Sequence, residues 1–223
     1  ATIELAKISS KSVKRFVFIS SIGVNGTYNS SPFLEIDTPY PSGDYATSKY
    51  QAELGLFDIV KNSSMEVVII RPPLIYGPAA KGNFHTLAKL IEKGIPLPLG
   101  SVSNKRSLIG LDNLVNFVIF CADFNKTPKA ANQLFLISDG EDVSTTELLV
   151  RMFTSFGMRP RLVKIPIPFL SFVVNIFGKS KIDRQLFKSL QIDNSKARTL
   201  LGWTPVTSMN EQLRKVAKCY SVK

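Results

Sequence analysis

Three short apolar runs, rich in β-branched and aromatic residues, most constrain the fold of this chain. They are RFVFIS at 15–20, MEVVIIRP at 65–72 and NQLFLISDG at 132–140. Continuous apolar runs of this length predict strands that are buried on both faces of a sheet. The helical pattern YATSKYQAELGLFDIVKNS separates the first two runs. Strands that alternate with helices predict βαβ units, and therefore an α/β fold with a parallel sheet.

A glycine-rich turn, which a doubly wound sheet needs after its first strand to bind a dinucleotide, is missing. Neither G-x-G-x-x-G nor G-x-x-G-x-x-G occurs in the 223 residues. The chain also opens in a helical pattern at 2–10, with no capping residue before it. We therefore expect that the sequence starts partway through a fold and that it does not bind a dinucleotide on its own.

The charge and cysteine content exclude several classes of function. Lysine and arginine exceed aspartate and glutamate by 28 to 17, which gives a net charge of +11, but the basic residues are scattered without a run of four. Nucleic-acid binding is not expected, because a binder should show a clustered basic footprint. Two cysteines without C-x-x-C spacing predict neither a metal site nor a disulfide framework, and they indicate the reducing cytoplasm.

The longest apolar segment, IPIPFLSFVVNIFG at 165–178, is too short for a membrane span and contains two prolines. Lysines follow it, so a helix that lies on a membrane surface is one interpretation. We favour the alternative, a helix that belongs to the core or forms a lid.

The stretch GDYATSKYQAE at 43–53 contains a tyrosine and a lysine four residues apart, Tyr45 and Lys49. On a helix these two side chains share a face, and a nearby ammonium group favours the phenolate form of a tyrosine. Ser20 and Ser21, at the end of the first predicted strand, could hold a substrate hydroxyl beside the tyrosine. The spacing Y-x-x-x-K alone is weak, since chance produces it often, and two surface residues one turn apart are the alternative.

An ordered set of motifs gives that spacing its context: KRFVFISSIGVNG, YATSKYQAE, VVIIRPPLIYGP, KGNF, KRSLIGLDNLV and LLGWTP. From about residue 4 to residue 218 the chain resembles the extended short-chain dehydrogenase/reductase family, in particular its NAD-dependent nucleotide-sugar epimerase/dehydratase group of bacterial polysaccharide biosynthesis. The resemblance implies a Rossmann-like doubly wound parallel sheet that lacks its first βαβ units, with a smaller C-terminal α/β subdomain. Residues 1–78 would belong to the nucleotide-binding domain, with 107–140 returning to it, and residues 79–106 and 141–223 would bind the substrate.

The resemblance also implies roles for individual residues. Ser21 would hydrogen-bond a sugar hydroxyl, Tyr45 would act as general acid/base, and Lys49 would hold the nicotinamide ribose and favour ionisation of the tyrosine. The further cofactor-binding residues would be Ser20, Pro72 and Pro73. The substrate-binding residues, besides Ser21, would be Asn83 and Arg106 at the phosphates and Leu97 and Pro98 at the uracil. No metal is implied.

The activity that the resemblance implies is 4-epimerisation of a nucleoside-diphosphate sugar, such as a UDP-sugar, through transient oxidation at C4 by NAD, with NADP not excluded. A 4-ketoreductase of the same group is an alternative, and an inactive fragment without the glycine turn is another. Ile22 and Gly23 stand where dehydratases of the family carry an acidic pair, which disfavours a dehydratase. A homodimer is possible.

Overall fold

The first sheet is parallel and is covered by helices on both faces. In the computed structural model, which describes residues 1–80, 82–176 and 180–221, it has the strand order β1–β2–β5, formed by Arg15–Ile19, Glu66–Arg71 and Gln133–Leu136. Ile19 lies opposite Ile70, and Val68 lies opposite Gln133. The predicted α/β class with a parallel sheet is confirmed.

Alternation along β2 explains how this sheet is buried on both sides. Val67 and Ile69 pack into one cluster with the helices α1 (Thr2–Ser9) and α2 (Asp44–Lys61). Val68 and Ile70 point the other way, toward α4 (Leu111–Ala122) and α8 (Ser195–Leu201). Because successive side chains of a strand face opposite sides, a continuous apolar run fills both cores at once.

A second, smaller sheet has the order β3–β4–β6, formed by Leu74–Tyr76, Arg106–Gly110 and Asp142–Val143. The first pair is parallel and the second antiparallel. Its core includes residues of α3 (Asn83–Glu92), α5 (Thr145–Ser155) and α9 (Met209–Ser221). The sequence does not predict strand β3, because this strand is only three residues long. It also lies between Pro73 and Gly77, residue types that are typical of turns.

Part of the C-terminal segment assigned to the substrate packs on the first sheet instead of the second. Trp203, which follows α8, is buried against Phe117 of α4 and donates a hydrogen bond of 2.9 Å from Nε1 to Oδ1 of Asn116. The division into two binding regions stays a prediction.

The apolar segment at 165–178 contains α6 (Ile167–Ile176), which packs on α7 (Ser180–Phe187). Ile167 and Leu170 of α6 contact the core of the second sheet, as the core prediction expects, but Phe169, Phe172 and Ile176 are exposed. Residues 177–179 of this segment lie outside the described ranges. Among the described residues, no helix is both long enough and apolar enough to cross a membrane.

Candidate active site

A cavity of about 420 Å³ lies beyond the carboxyl end of β1 and extends to the second sheet. Its walls come from the turn after β1, from β3 and β4, and from α2, α3, α5 and α7. A parallel α/β sheet binds its ligands at this end of its strands. Five of the residues predicted for the site line this cavity: Ser21, Tyr45, Pro73, Asn83 and Arg106.

Ser21 and Tyr45 enter the cavity from two different elements. Ser21 caps a 3₁₀ turn at Ile22–Val24, and its Oγ accepts a hydrogen bond of 3.1 Å from the backbone nitrogen of Gly23. Tyr45 lies in the first turn of α2, is 66% exposed, and lines the cavity. Gly43, with a φ of 83°, lets the loop enter the helix at this point.

Lys49 lies one turn further along α2 and faces the end of β1. Its Nζ donates a hydrogen bond of 2.9 Å to the carbonyl oxygen of Ile19 and lies 5.8 Å from the centre of the Tyr45 ring. Partial burial lowers the pKa of Lys49, and the negative charge of Glu53 opposes this shift. An ammonium group has three N–H donors, so this contact leaves donors for the side facing Tyr45.

Ser20 belongs to a buried polar network, and its side chain does not line the cavity. Its hydroxyl donates to Oε1 of Glu53, a residue that is 2% exposed. Arg71, at the end of β2, donates to both carboxylate oxygens of Glu53, at 2.9 and 2.5 Å. Arg71 also donates a 2.8 Å hydrogen bond to Oδ1 of Asn25. The network therefore ties α2 to the ends of β1 and β2, directly beside Ser21.

Sequence reasoning missed Glu53 and Arg71. The signal that could have found Glu53 is its spacing, since it lies four residues after Lys49 and eight after Tyr45, on the same face of α2. Arg71 stands at the end of an otherwise apolar strand, where a charge needs a partner if it is buried.

The two prolines that follow β2, Pro72 and Pro73, are both buried. The carbonyl oxygen of Pro72 accepts a 3.0 Å hydrogen bond from the backbone nitrogen of Ile22. Pro73 lines the cavity and Pro72 does not.

The cavity is also suited to an anion. Arg106 of β4 is partly buried, which lowers its pKa to about 10, so the guanidinium stays charged at neutral pH. Its Nη1 donates a hydrogen bond of 3.2 Å to the carbonyl oxygen of Lys188. None of the ion pairs between described residues includes Arg106. Asn83 donates to Oε1 of Gln185, another wall residue. No acidic residue lines the described part of the cavity.

Three helices also begin at the wall of the cavity, and each helix N-terminus carries a partial positive charge. Tyr45, Asn83 and Thr145 lie in the first turns of α2, α3 and α5, and all three line the cavity. Together with Arg106, these dipoles favour a negatively charged ligand.

Leu97 and Pro98 are not brought to the cavity. Leu97 is buried in the core of the second sheet, and its backbone pairs with Arg161 and Val163 through two hydrogen bonds of 2.9 Å. Pro98 is exposed. Contact of these two residues with a base stays a prediction.

Comparison with known proteins shows which family the chain belongs to. The sequence profile of the NAD dependent epimerase/dehydratase family matches residues 2–133. The chain belongs to this family. It is also 45% identical over 223 residues to a UDP-glucose 4-epimerase of Vibrio cholerae, and the match covers 98% of this chain and 67% of the relative.

Solved structures of the family share the fold. A UDP-glucuronic acid 4-epimerase of Bacillus cereus, solved in complex with NAD, superposes with a TM-score of 0.77 at 21% identity over 99% of this chain and 66% of its own. A UDP-N-acetylglucosamine 4-epimerase of Bacillus cereus superposes with a TM-score of 0.80 at 18% identity. The match covers 99% of this chain and 71% of that protein's chain. The chain thus spans about two thirds of the length of these relatives.

Proposed function

We propose that this chain forms the catalytic and sugar-nucleotide-binding part of an NAD-dependent nucleoside-diphosphate-sugar 4-epimerase. The observation that carries the proposal is that Ser21, Tyr45 and Arg106 face one cavity, while Lys49 lies beside Tyr45. The cavity offers both proton-transfer groups and a cation. A sugar linked to a diphosphate has the matching groups, namely hydroxyls and negative charge.

The proton transfer is assigned to Tyr45. In the oxidative direction it accepts the proton of the sugar C4 hydroxyl, and in the reductive direction it returns a proton to the same oxygen. Ser21 orients the hydroxyl through a hydrogen bond. The ammonium of Lys49 favours the phenolate, because an adjacent positive charge stabilises the ionised form of a tyrosine.

The cavity wall supports epimerisation. It includes the apolar side chains of Leu74, Leu87 and Leu108, which form no hydrogen bonds to sugar hydroxyls. A sugar ring that few polar groups hold can present either face to the same proton donor. A volume of about 420 Å³ is within the range of small-molecule sites.

The groups that lie beside the end of β1 fit the nicotinamide half of NAD. Lys49 has N–H donors to spare for ribose hydroxyls, and Pro73, which lines the cavity, offers an apolar surface. When bound, NAD supplies the acceptor and donor of the C4 hydride. A glycine-rich turn for the pyrophosphate does not occur in the 223 residues, so we assign the adenosine half to chain outside them.

The test is product analysis on the complete gene product that contains these 223 residues. The protein is incubated with NAD and either UDP-glucose or UDP-N-acetylglucosamine, and the C4 epimers are separated and quantified. We expect each sugar nucleotide and its epimer to reach an equilibrium mixture from either side, without net formation of NADH. A Tyr45→Phe variant serves as the inactive reference.

Two outcomes would contradict the proposal. Stoichiometric consumption of NADH or NADPH with a 4-keto-sugar nucleotide, without epimer formation, would identify a 4-ketoreductase. No conversion of either sugar nucleotide by a folded protein that binds NAD would leave the two substrate classes without support.

A further inference from the structure

The α6 helix presents an apolar stripe to solvent. Phe169, Phe172 and Ile176 are 59%, 64% and 64% exposed, and their spacing of three and four residues places them on one face. The opposite face already has its partners, since Ile167 and Leu170 pack on the core of the second sheet. The outward face therefore contributes nothing to the described core, and large apolar side chains grouped on a surface usually mark an interaction site.

The chain that leads into this stripe carries basic residues without acidic ones. From residue 148 to residue 176 the sequence contains four basic residues and no acidic one. Arg151 is paired with Glu141 and Glu147. The other three, Arg159, Arg161 and Lys164, are exposed and precede α6, and no ion pair between described residues includes them. An apolar helix face that three exposed basic residues precede along the chain has the chemistry of an interfacial helix that binds anionic lipid.

We propose that the outward face of α6, together with Arg159, Arg161 and Lys164, docks the protein on an anionic phospholipid bilayer. The phenylalanines would enter the boundary between headgroups and acyl chains, and the basic side chains would contact lipid phosphates. This is peripheral attachment and needs no spanning segment.

The docking face is linked to the cavity through α7. Ser171 of α6 contacts Asp183 of α7, and Gln185 and Leu186 on the same helix line the cavity. A membrane held by α6 would therefore lie against a helix whose neighbour, α7, forms part of the cavity wall. The inference itself concerns the surface and does not rest on the proposed function.

The experiment is co-sedimentation of the complete gene product with vesicles, without any sugar nucleotide. One set of vesicles contains phosphatidylcholine only, and the other contains phosphatidylcholine and phosphatidylglycerol at a ratio of about three to one, a composition chosen to supply the anionic surface. We expect binding to the anionic vesicles that weakens as salt is raised, since salt screens the headgroup charge.

Two variants separate the apolar and the charged contributions. Phe169→Ser/Phe172→Ser should abolish co-sedimentation while far-UV circular dichroism and the melting temperature stay unchanged, because both side chains are exposed. Arg159→Gln/Arg161→Gln/Lys164→Gln should weaken binding to anionic vesicles by roughly fivefold for each charge removed. The matched control is Tyr40→Ser/Val206→Ser, which removes two exposed side chains elsewhere, 78% and 60% exposed, and should bind like the unaltered protein.

Three results would overturn the inference. The first is no binding to anionic vesicles at low salt. The second is equal binding by the Phe169→Ser/Phe172→Ser variant and the unaltered protein. The third is loss of a dimer in light scattering when the phenylalanines are replaced, without vesicle binding by either form, which would identify the stripe as an interface between two copies.

Discussion

The ammonium group of Lys49 donates a 2.9 Å hydrogen bond to the carbonyl oxygen of Ile19, the last residue of β1. The strand end thereby fixes the lysine that stands beside Tyr45. Ser21, which lines the cavity, is only two residues further along the same chain. A helix residue and a strand end thus position one another, and the proposed proton-transfer groups share this anchor.

Replacement of Lys49 by methionine should lower kcat by about 100-fold, the lower end of what a proton-transfer group contributes. Methionine keeps an apolar chain of similar length but removes the charge and the bond to Ile19. The measurement is the initial rate of C4 epimer formation. Lys61→Met, at the exposed end of the same helix, is the control and should leave the rate unchanged.

Tyr45→Phe should reduce kcat by about 10²–10⁴-fold while the melting temperature changes little. The phenol is two-thirds exposed, so its removal leaves no buried group unsatisfied. Tyr40→Phe, on the preceding loop and 78% exposed, controls for the loss of a surface hydroxyl. A Tyr45→Phe enzyme with undiminished turnover would remove Tyr45 from the mechanism.

Two arginine–glutamate pairs lie at opposite ends of β1 and β2, and they make a matched test of position. Glu53 pairs with Arg71 at the end near the cavity, and Glu66 pairs with Arg15 at the far end. Glu53→Gln should destabilise the fold by about 3–5 kcal/mol, because it leaves Arg71 buried without its counter-charge. It should also lower kcat with little change in KM, because Ser20 and the adjoining Ser21 lose their fixed position.

Glu66→Gln is the control for that variant. It should lower the melting temperature, by less because Glu66 is partly exposed, and leave kcat unchanged. Ser20→Ala removes only the hydroxyl contact to Glu53 and gives a milder form of the same test. Equal kcat values for the Glu53 and Glu66 variants would show that the network near the cavity is structural only.

Arg106→Ala should weaken binding of the nucleoside diphosphate by about 10–100-fold, the range expected when one charge-assisted hydrogen bond is lost. Calorimetric titration with UDP measures this without turnover. Arg159→Ala removes an exposed arginine that does not line the cavity and should bind UDP normally. Unchanged UDP affinity in Arg106→Ala would place the diphosphate elsewhere.

Stability should fall at alkaline pH because of a buried thiol. Burial raises the pKa of Cys121 from its ordinary value of 9.0 to about 12. Between these values the unfolded chain has lost the thiol proton and the folded chain keeps it, so the free energy of unfolding decreases as pH rises. Denaturant titrations from pH 8 to pH 10.5 measure the slope.

Cys121→Ala should make the free energy of unfolding depend less steeply on pH. The cavity that the substitution creates lowers this free energy at all pH values and does not affect the slope. Cys219→Ala, which replaces an exposed cysteine, should leave the slope as it is. Identical slopes in all three proteins would show that other groups cause the alkaline loss.

The sequence was most informative where a local pattern decides the structure. The apolar runs that became β1, β2 and β5 carry their own signal, and so does α5, whose first residue, Thr145, follows the capping side chain of Ser144. Tyr45 and Lys49 could be placed on one helix face by counting residues. That Ser21 and Arg106 would serve one site was expected only from the family resemblance, since Ser21 follows β1 of the first sheet and Arg106 belongs to β4 of the second.

The remaining features depend on long-range pairing, which a local pattern does not show. From the sequence alone, Glu53 is expected on the surface of its helix. Only the structure shows that Arg71 and Ser20 donate hydrogen bonds to it. Leu97 lies in a stretch that has no helix or strand pattern in the sequence. Its backbone pairs with Arg161 and Val163, and this pairing directs its side chain toward the core of the second sheet. A helix is expected in the apolar segment at 165–178, yet only the position of its neighbours shows which face of α6 is left uncovered.

The two arginine–glutamate pairs also determine how β1 and β2 tolerate changes in length. Arg15 and Glu66 face each other at the start of the strands, and Ser20 and Arg71 share Glu53 at their end. A strand that slid by one residue would break a side-chain contact at each end and reverse which side chains face each core. A single-residue deletion within either strand therefore has no compensating shift available.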